Sequence, residues 1–189
     1  MVPASLILPG PLVSASEWRC AVLDGELVAL GDGFLPIDAP LTARERAASL
    51  APALIDDRVV IADRSAAWVW GWAPPPPVVS TCVSIQARIP SPDRRRLRAR
   101  EVVIEADELR MLGAVPVTAP LRTLLDLARH DHDAHIVALL AAGLRAHGVT
   151  RAQLDAALAR RPSLSFVRPA RARLLAALAA ATDHPLLTR

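Results

Sequence analysis

Pro116-Val-Thr-Ala-Pro-Leu-Arg-Thr-Leu-Leu-Asp-Leu-Ala-Arg129 begins extended and turns helical, and the fold is decided where that change of period falls. Leu121, Leu124, Leu125 and Ala128 recur at i, i+3, i+4 and i+7, the spacing of one apolar helix face. Downstream the helical period persists. Ala134 to Ala146 is a second helix. Thr150 and Gln153 form a capping box, stapled by Val149 against Leu154, that opens a third helix to Arg160, which Pro162 ends. A last helix, Pro169 to Ala181, carries Leu174, Leu175 and Leu178 on one side and arginines on the other.

Upstream the signals are strand-like. Val78 to Ile89 and Glu101 to Glu105 are β-branched and partly alternating, so they read as two strands with the intervening arginine-rich run as a hairpin tip. Pro74 to Pro77 impose an extended crossover, either a linker or a stiff loop. Ser65 to Trp72 reads as a short helix after a short strand at Val59 to Ile61. A capping box at Thr42 and Glu45 opens a helix to about Asp56.

Nearer the N-terminus, a capping box at Ser14 and Glu17 starts a short helix that Gly25 ends. Glu26 to Leu30 and Phe34 to Ile37 flank Gly31-Asp-Gly33 as a hairpin. A helix followed by a hairpin outlines a winged helix, but the prolines before residue 12 leave no regular leading helices. The expected class is therefore α+β. A winged-helix-like remnant over residues 1–40 precedes a mixed domain over 41–189, with strands at about 78–118 and helices over 120–181.

Composition narrows the function classes. The 189 residues are 52% hydrophobic and 22% charged, enough to bury a core, and no apolar run approaches the length of a bilayer span. No signal peptide is expected, because the first residues lack a positive region and are broken by prolines, so the chain is placed in the cytoplasm. Cys20 and Cys82 stand alone, which reads as two buried, inert thiols. Charge is divided: Glu17 to Asp63 holds nine acids against four arginines, whereas Arg64 to Arg189 holds eighteen arginines against ten acids. An anionic partner is expected to meet the later part of the chain.

Arg88, Arg94, Arg95, Arg96, Arg98 and Arg100 are the densest cationic run, with Asp93 the sole acid among them. Two readings stand: a clamp for nucleic acid or another anionic partner, or a solvated hairpin tip. No aromatic is interleaved to stack bases. His130-Asp-His-Asp-Ala-His135 gathers ligand-type residues, but it lies where a helix begins and lacks the i, i+4 histidine pair, which favours Asp131 or Asp133 as a cap over a metal site. Arg122 and Asp126 are spaced to pair across one helical turn, worth a few tenths of a kcal/mol on a helix surface. Trp68, Trp70 and Trp72 read as core, with an exposed tryptophan at an interface as the alternative. No nucleophile elbow, phosphate-binding glycine loop or HExxH is present, so neither enzyme, metal nor cofactor is expected.

The order of three blocks, Gly25-Glu-Leu-Val-Ala-Leu-Gly-Asp-Gly-Phe34, Ile61-Ala-Asp-Arg-Ser-Ala-Ala-Trp-Val-Trp-Gly71 and Pro116-Val-Thr-Ala-Pro-Leu-Arg-Thr-Leu-Leu-Asp126, resembles the AbiEi-type antitoxins of type IV toxin–antitoxin systems. The third block is the most specific, and the resemblance covers roughly Ser14 to Arg160. It implies a cytoplasmic binding protein in which a winged helix binds operator DNA and the following domain counteracts a nucleotidyltransferase-like toxin. It also makes Arg64, Ser65, Arg122 and Asp126 positions of interest. The chain departs from the pattern in its candidate recognition helix, where Arg19 alone stands beside Glu17 and Asp24, so operator binding is expected to be weak. Many longer relatives continue into a nuclease-like domain after the last helix; no nuclease is expected here. The leading expectation is an antitoxin-like binding protein, against a DNA-binding autorepressor or an orphan remnant of a nuclease-linked relative.

Overall fold

The computed structural model describes residues 5–54, 56–87, 89–97, 99–160 and 166–182, an α+β fold. Helix α1 (Ala15–Leu23) is followed by the hairpin β1 (Leu27–Leu30) and β2 (Gly33–Pro36), joined by a two-residue turn in which Gly31 has φ 56°. The positive φ is what a primed hairpin turn needs. Ile7 bridges Phe34 on the other side of β2, so the proline-broken start of the chain contributes extended backbone. α1 stays on the surface: none of its residues is buried, and it is held by Trp18 stacked on Phe34 at 4.8 Å. Cys20 is consequently exposed, against the expectation of two buried thiols, while Cys82 is buried.

After α2 (Ala43–Leu50) comes the five-stranded sheet, in the order β5-β4-β3-β7-β6. β3 (Val60–Ile61) lies centrally, with α3 (Asp63–Val69) directly after it. β4 (Thr81–Ser84) runs antiparallel to β3. α4 (Ser91–Arg96) then leads to β5 (Arg100–Val102), which is parallel to β4. That register overturns the hairpin expected for the arginine run. Parallel neighbours require a crossover, and Ser91-Pro-Asp93, with proline and an acid in the first turn, starts a helix within it.

β6 (Leu109–Leu112) and β7 (Val115–Thr118) form a second tight hairpin around Gly113, φ 68°, and β7 also pairs in parallel with β3. β6 has no counterpart among the strands expected from the sequence. β3 sits between two strands and has both faces covered, hence the unbroken apolar run Val59-Val-Ile-Ala62, all buried.

The C-terminal third is helical: α5 (Pro120–His130), α6 (Ile136–His147), α7 (Arg151–Ala159) and α8 (Val167–Thr182). The boundaries read from the sequence hold to within about two residues here. The capping boxes at Ser14, Thr42 and Thr150 all form. Two apolar cores meet at α3. Ala67 joins Leu124, Leu127, Leu140, Leu144 and Leu174 of the helical part, while Ala66, Trp68 and Val69 join Leu30, Ala47, Ile61 and Val117. Trp68 and Trp72 are buried, and Trp70, half-buried, packs against both cores and donates through Nε1 to Thr118 O at 2.9 Å.

The seat of Trp72 is Gly143. A Cβ on Gly143 would lie 1.6 Å from Cε3 of the indole, so the ring occupies the space that any larger residue on α6 would fill. In an unhindered helix Gly→Ala stabilises by up to about 1 kcal/mol. Here the sign reverses. Gly143→Ala is expected to destabilise by about 1–3 kcal/mol, because the indole must leave its seat. Thermal unfolding checks this: a Tm unchanged or raised would show that Trp72 is not wedged there.

Candidate functional site

α5 is amphipathic in sequence yet buried on nearly every side, and the reason is a chain of charges along its polar stripe. Arg122 is 4% exposed and Asp126 1%. The Arg122 guanidinium donates from Nε to Asp126 Oδ2 at 2.7 Å, and from Nη1 to Glu108 Oε2 at 2.7 Å and to the Val103 carbonyl at 3.0 Å. Arg100, on β5, lies with Nη2 2.9 Å from Asp63 Oδ1 and 3.6 Å from Asp126 Oδ2. Arg129 Nη1 approaches Asp126 Oδ1 at 3.7 Å. Three arginines and three carboxylates thus alternate from the start of α3, past β5, to the turn before β6.

This corrects the surface value given to Arg122 and Asp126. Their i, i+4 spacing does produce the pair, but inside the protein, where removing one partner strands the other charge. Burial works against the Arg122 charge, but Asp126 and then Glu108 outweigh it and its pKa is raised. For Asp63 burial dominates: it raises the carboxyl pKa despite Arg100, with the Asp126 charge adding to the rise. Asp63 is also one of two described non-glycine residues with positive φ, at 49°, and α3 starts without a side-chain cap. The Cys82 thiol, pushed up to about 12 by burial and then by Asp126 and Asp63, is no nucleophile.

A second cluster fixes the corner between α5 and α6. Arg64 holds Asp131 in a two-pronged pair, Nε to Oδ2 at 2.5 Å and Nη2 to Oδ1 at 3.1 Å, and reaches Asp133 at 3.2 Å. Asp131 Oδ1 accepts from Asp133 N at 2.9 Å and Asp133 Oδ1 from His135 N at 2.7 Å, so these carboxylates organise the turn into α6. Arg173 of α8 donates to the carbonyls of Ala128 and Asp131, both at 2.8 Å, closing the free end of α5. Among the described residues, no three His, Cys, Asp or Glu side chains gather as metal ligands. Ser65, fully buried, accepts at Oγ from Ser80 N at 2.8 Å and ties α3 to the segment entering β4.

The sequence-selected residues therefore divide. Arg64, Ser65, Arg122 and Asp126 converge around α3 and α5, each engaged with a neighbour. The cationic run does not stay together. Arg100 turns to Asp63, with 29% of its side chain left exposed, because the parallel register places it beside Cys82 within the sheet. Arg95 is exposed on α4. Only the backbone of Arg94 and Arg96 is described, and Arg88 and Arg98 lie outside the described residues. Arg19 is exposed on α1. Sequence reading missed Asp63 and Glu108, which no local spacing connects to Arg122, and Arg129, whose i, i+3 spacing from Asp126 on the same helix was the available signal.

Asp126 Oδ1 is buried without a hydrogen-bond partner, and the cavity it lines with Glu108, Arg122 and Arg129 is about 20 Å³. That is the size of one water molecule and far below a small-molecule site. Glu108 and Arg122 also border an open cleft of about 460 Å³ with Arg110, Gln153 and Arg160, but with its guanidinium groups matched to its carboxylates the cluster has the character of a scaffold.

A family profile for the AbiEi antitoxin C-terminal domain matches residues 59–177, from the residue before β3 into α8. The chain belongs to this family. The match supports an antitoxin or DNA-binding role in a toxin–antitoxin system and implies a cognate toxin; the family is not a known enzyme family. Among solved structures, the RV2827C protein from Mycobacterium tuberculosis is similar at 16% identity, over 92% of this chain and 70% of that one, with a TM-score of 0.47. No curated protein matches the chain. No described helix is long and apolar enough to cross a membrane.

Two measurements test the site. Arg122→Met, which keeps the bulk and removes the charge, is expected to cost about 3–5 kcal/mol by stranding Asp126 and Glu108; denaturant unfolding showing under about 1 kcal/mol would contradict the burial of the pair. The second concerns His130, whose imidazole is pushed down to about 4 by burial, then by Arg100 and Arg129. An unfolded histidine titrates near 6.5, so between pH 6.5 and 4 the unfolded state binds the extra proton and this residue's contribution to stability falls as pH drops. The His130 ring resonances are expected to titrate near pH 4; a midpoint near 6.5 would place the ring in solvent.

Proposed function

We propose that the chain is an antitoxin that counteracts a nucleotidyltransferase-like toxin, acting by binding rather than by catalysis. The family match over residues 59–177 carries this reading. The state of the site supports it. Ser65, Arg122 and Asp126 are engaged inside the domain and Arg64, 42% exposed, is paired at its surface, in hydrogen bonds and ion pairs that position α3 and α5. Groups so engaged hold a surface in shape; an acid, base or nucleophile for external chemistry must instead reach its substrate.

Operator binding as the main activity has less support. The helix and hairpin ahead of the family domain carry Arg19 as their one cation between residues 5 and 41, against five carboxylates. Phosphate neutralisation supplies most non-specific DNA affinity, and this segment repels phosphate.

Co-expression tests the reading. Where the neighbouring gene encodes a nucleotidyltransferase-like protein that arrests growth, co-expression of this chain is expected to restore it. Persistent arrest, with the chain present at normal level, rejects the antitoxin reading. Retardation of promoter DNA at low salt without any rescue supports a regulator in its place.

A further inference from the structure

A cleft of about 460 Å³ opens where the turn before β6, the start of α5, the end of α6 and α7 come together. Its size falls in the range of small-molecule sites, so unlike the cavity at Asp126 it has room for an organic ligand. Part of its lining is apolar, from Pro120, Leu121, Leu125, Val149 and Ala157. The rest is polar: Asp107, Glu108, Arg110, Arg122, Gln153 and Arg160, with His147 at the end of α6.

These polar groups differ in what they have left to offer a ligand. The acceptors are engaged within the chain: Glu108 Oε2 accepts from Arg122 Nη1 at 2.7 Å, Gln153 Oε1 from Thr150 N at 2.8 Å, and Asp107 Oδ2 from Arg160 Nη1 at 2.9 Å. The donors are not used up. Arg110 engages Nη1 alone, with the carbonyls of Asp107 and Leu109 at 3.0 and 2.8 Å, and Arg160 likewise engages Nη1 alone. A guanidinium carries five N–H groups in a fork, so each arginine keeps Nε and Nη2 without a hydrogen bond to the described residues. Gln153 Nε2 is free in the same sense. Helix α5 begins at the cleft with no side-chain cap, which adds the positive end of its dipole to the same sign. Three arginines there meet two carboxylates, and burial lowers the His147 pKa, so near pH 7 that ring adds no charge.

A donor-rich, net positive cleft with an apolar wall complements an acceptor-rich anion on an apolar body. Its donors arrive from β6 and from both ends of α7. A phosphate group, with three oxygens set around phosphorus, accepts from several directions, whereas a carboxylate presents two oxygens in one plane. We propose that this cleft binds a small phosphate monoester, with the phosphate held by Arg110, Arg160 and Gln153 and the apolar body lying against Leu121, Leu125 and Val149. The site borders the Arg122 network without drawing on its charges, and it does not depend on the antitoxin reading. Neither Arg110 nor Arg160 is needed for the fold. Both are exposed, and a pair such as Arg160–Asp107, at 51% and 58% exposure, contributes under about 1 kcal/mol.

Phenyl phosphate titrated into the full chain tests this, followed by calorimetry and by the NMR signals of the His147 ring and the Gln153 side-chain amide. Wild type is expected to bind saturably, to shift both signals, and to bind more weakly as salt is raised. Arg110→Gln and Arg160→Gln, both remaining folded, should each weaken binding about tenfold or more, because hydrogen bonds to a charged group are the strong kind. Arg95→Gln removes the same charge from α4, at the far edge of the sheet from β6, and should leave binding unchanged. Inorganic phosphate lacks the apolar body and benzoate lacks the phosphate, so each should bind about tenfold more weakly or worse. No saturable shift of the two signals by about 10 mM phenyl phosphate overturns the proposal. So does binding that both arginine variants retain within about twofold. Equal weakening by Arg95→Gln makes the attraction one of general charge and overturns the site as well. Inorganic phosphate as tight as phenyl phosphate removes the apolar wall from the site, benzoate as tight removes the phosphate, and either result overturns the assignment.

Discussion

The guanidinium of Arg122 sits where the sheet, the turn before β6 and α5 meet, and the position of α5 depends on its partners. Five of the other residues in that helix (Thr123, Leu124, Asp126, Leu127 and Ala128) are 1% exposed or less, so α5 is surrounded, and a charged stripe is tolerable there only if every charge is answered. Asp126 and Glu108 answer Arg122, and Arg100 and Arg129 stand near Asp126. An apolar stripe of the same volume would often be as stable or more so. What the charges add is discrimination. A rotation or slip of α5 would bury Arg122 away from the Val103 carbonyl and Glu108, whereas an apolar stripe tolerates sliding, so the network fixes one arrangement of α5 on β5 and β6.

The functional consequence is a division of labour between interior and surface. The residues shared by the resemblance and the structure, Arg64, Ser65, Arg122 and Asp126, lie on elements that other elements rest upon. α3 sits between the two cores, α5 reaches α6 and α8, and Arg173 closes the end of α5. Recognition is then left to surfaces whose side chains are free to face a partner. The cleft bordered by Arg110 and Arg160 is one such surface; α4 contributes Arg95 in the part of the chain that carries the net positive charge.

Local signals in the sequence were dependable. The capping boxes at Ser14, Thr42 and Thr150 form because hydroxyl, backbone N–H and Glu or Gln lie within four residues of one another, with no tertiary help required. Gly31 turns its hairpin for the same reason, and the switch from strand to helix between Thr118 and Pro120 falls where its period changes. What escaped was set over longer distances. The parallel pairing of β4 with β5 leaves no local trace, so the arginine run between them reads as a hairpin tip, and six arginines mask the helix signal Ser91-Pro-Asp93. β6 was hidden because Leu109-Arg-Met-Leu112 is too short to show alternation. The charge network was half visible: the i, i+4 pair can be read from spacing, but its burial depends on Glu108 and Arg100, fourteen and twenty-two residues away from Arg122 in the chain. Cys20 failed for a related reason, since a thiol is buried by default but α1 buries nothing.

A double-mutant cycle on Arg122 and Asp126 bears most directly on the claim that this network organises the domain. Arg122→Met, Asp126→Leu and the double variant would be compared with wild type by denaturant unfolding. The account predicts that each single replacement costs several kcal/mol and that the double recovers a large part, a coupling of about 2–3 kcal/mol between the two side chains. Additive losses, with coupling under about 0.5 kcal/mol, would contradict it.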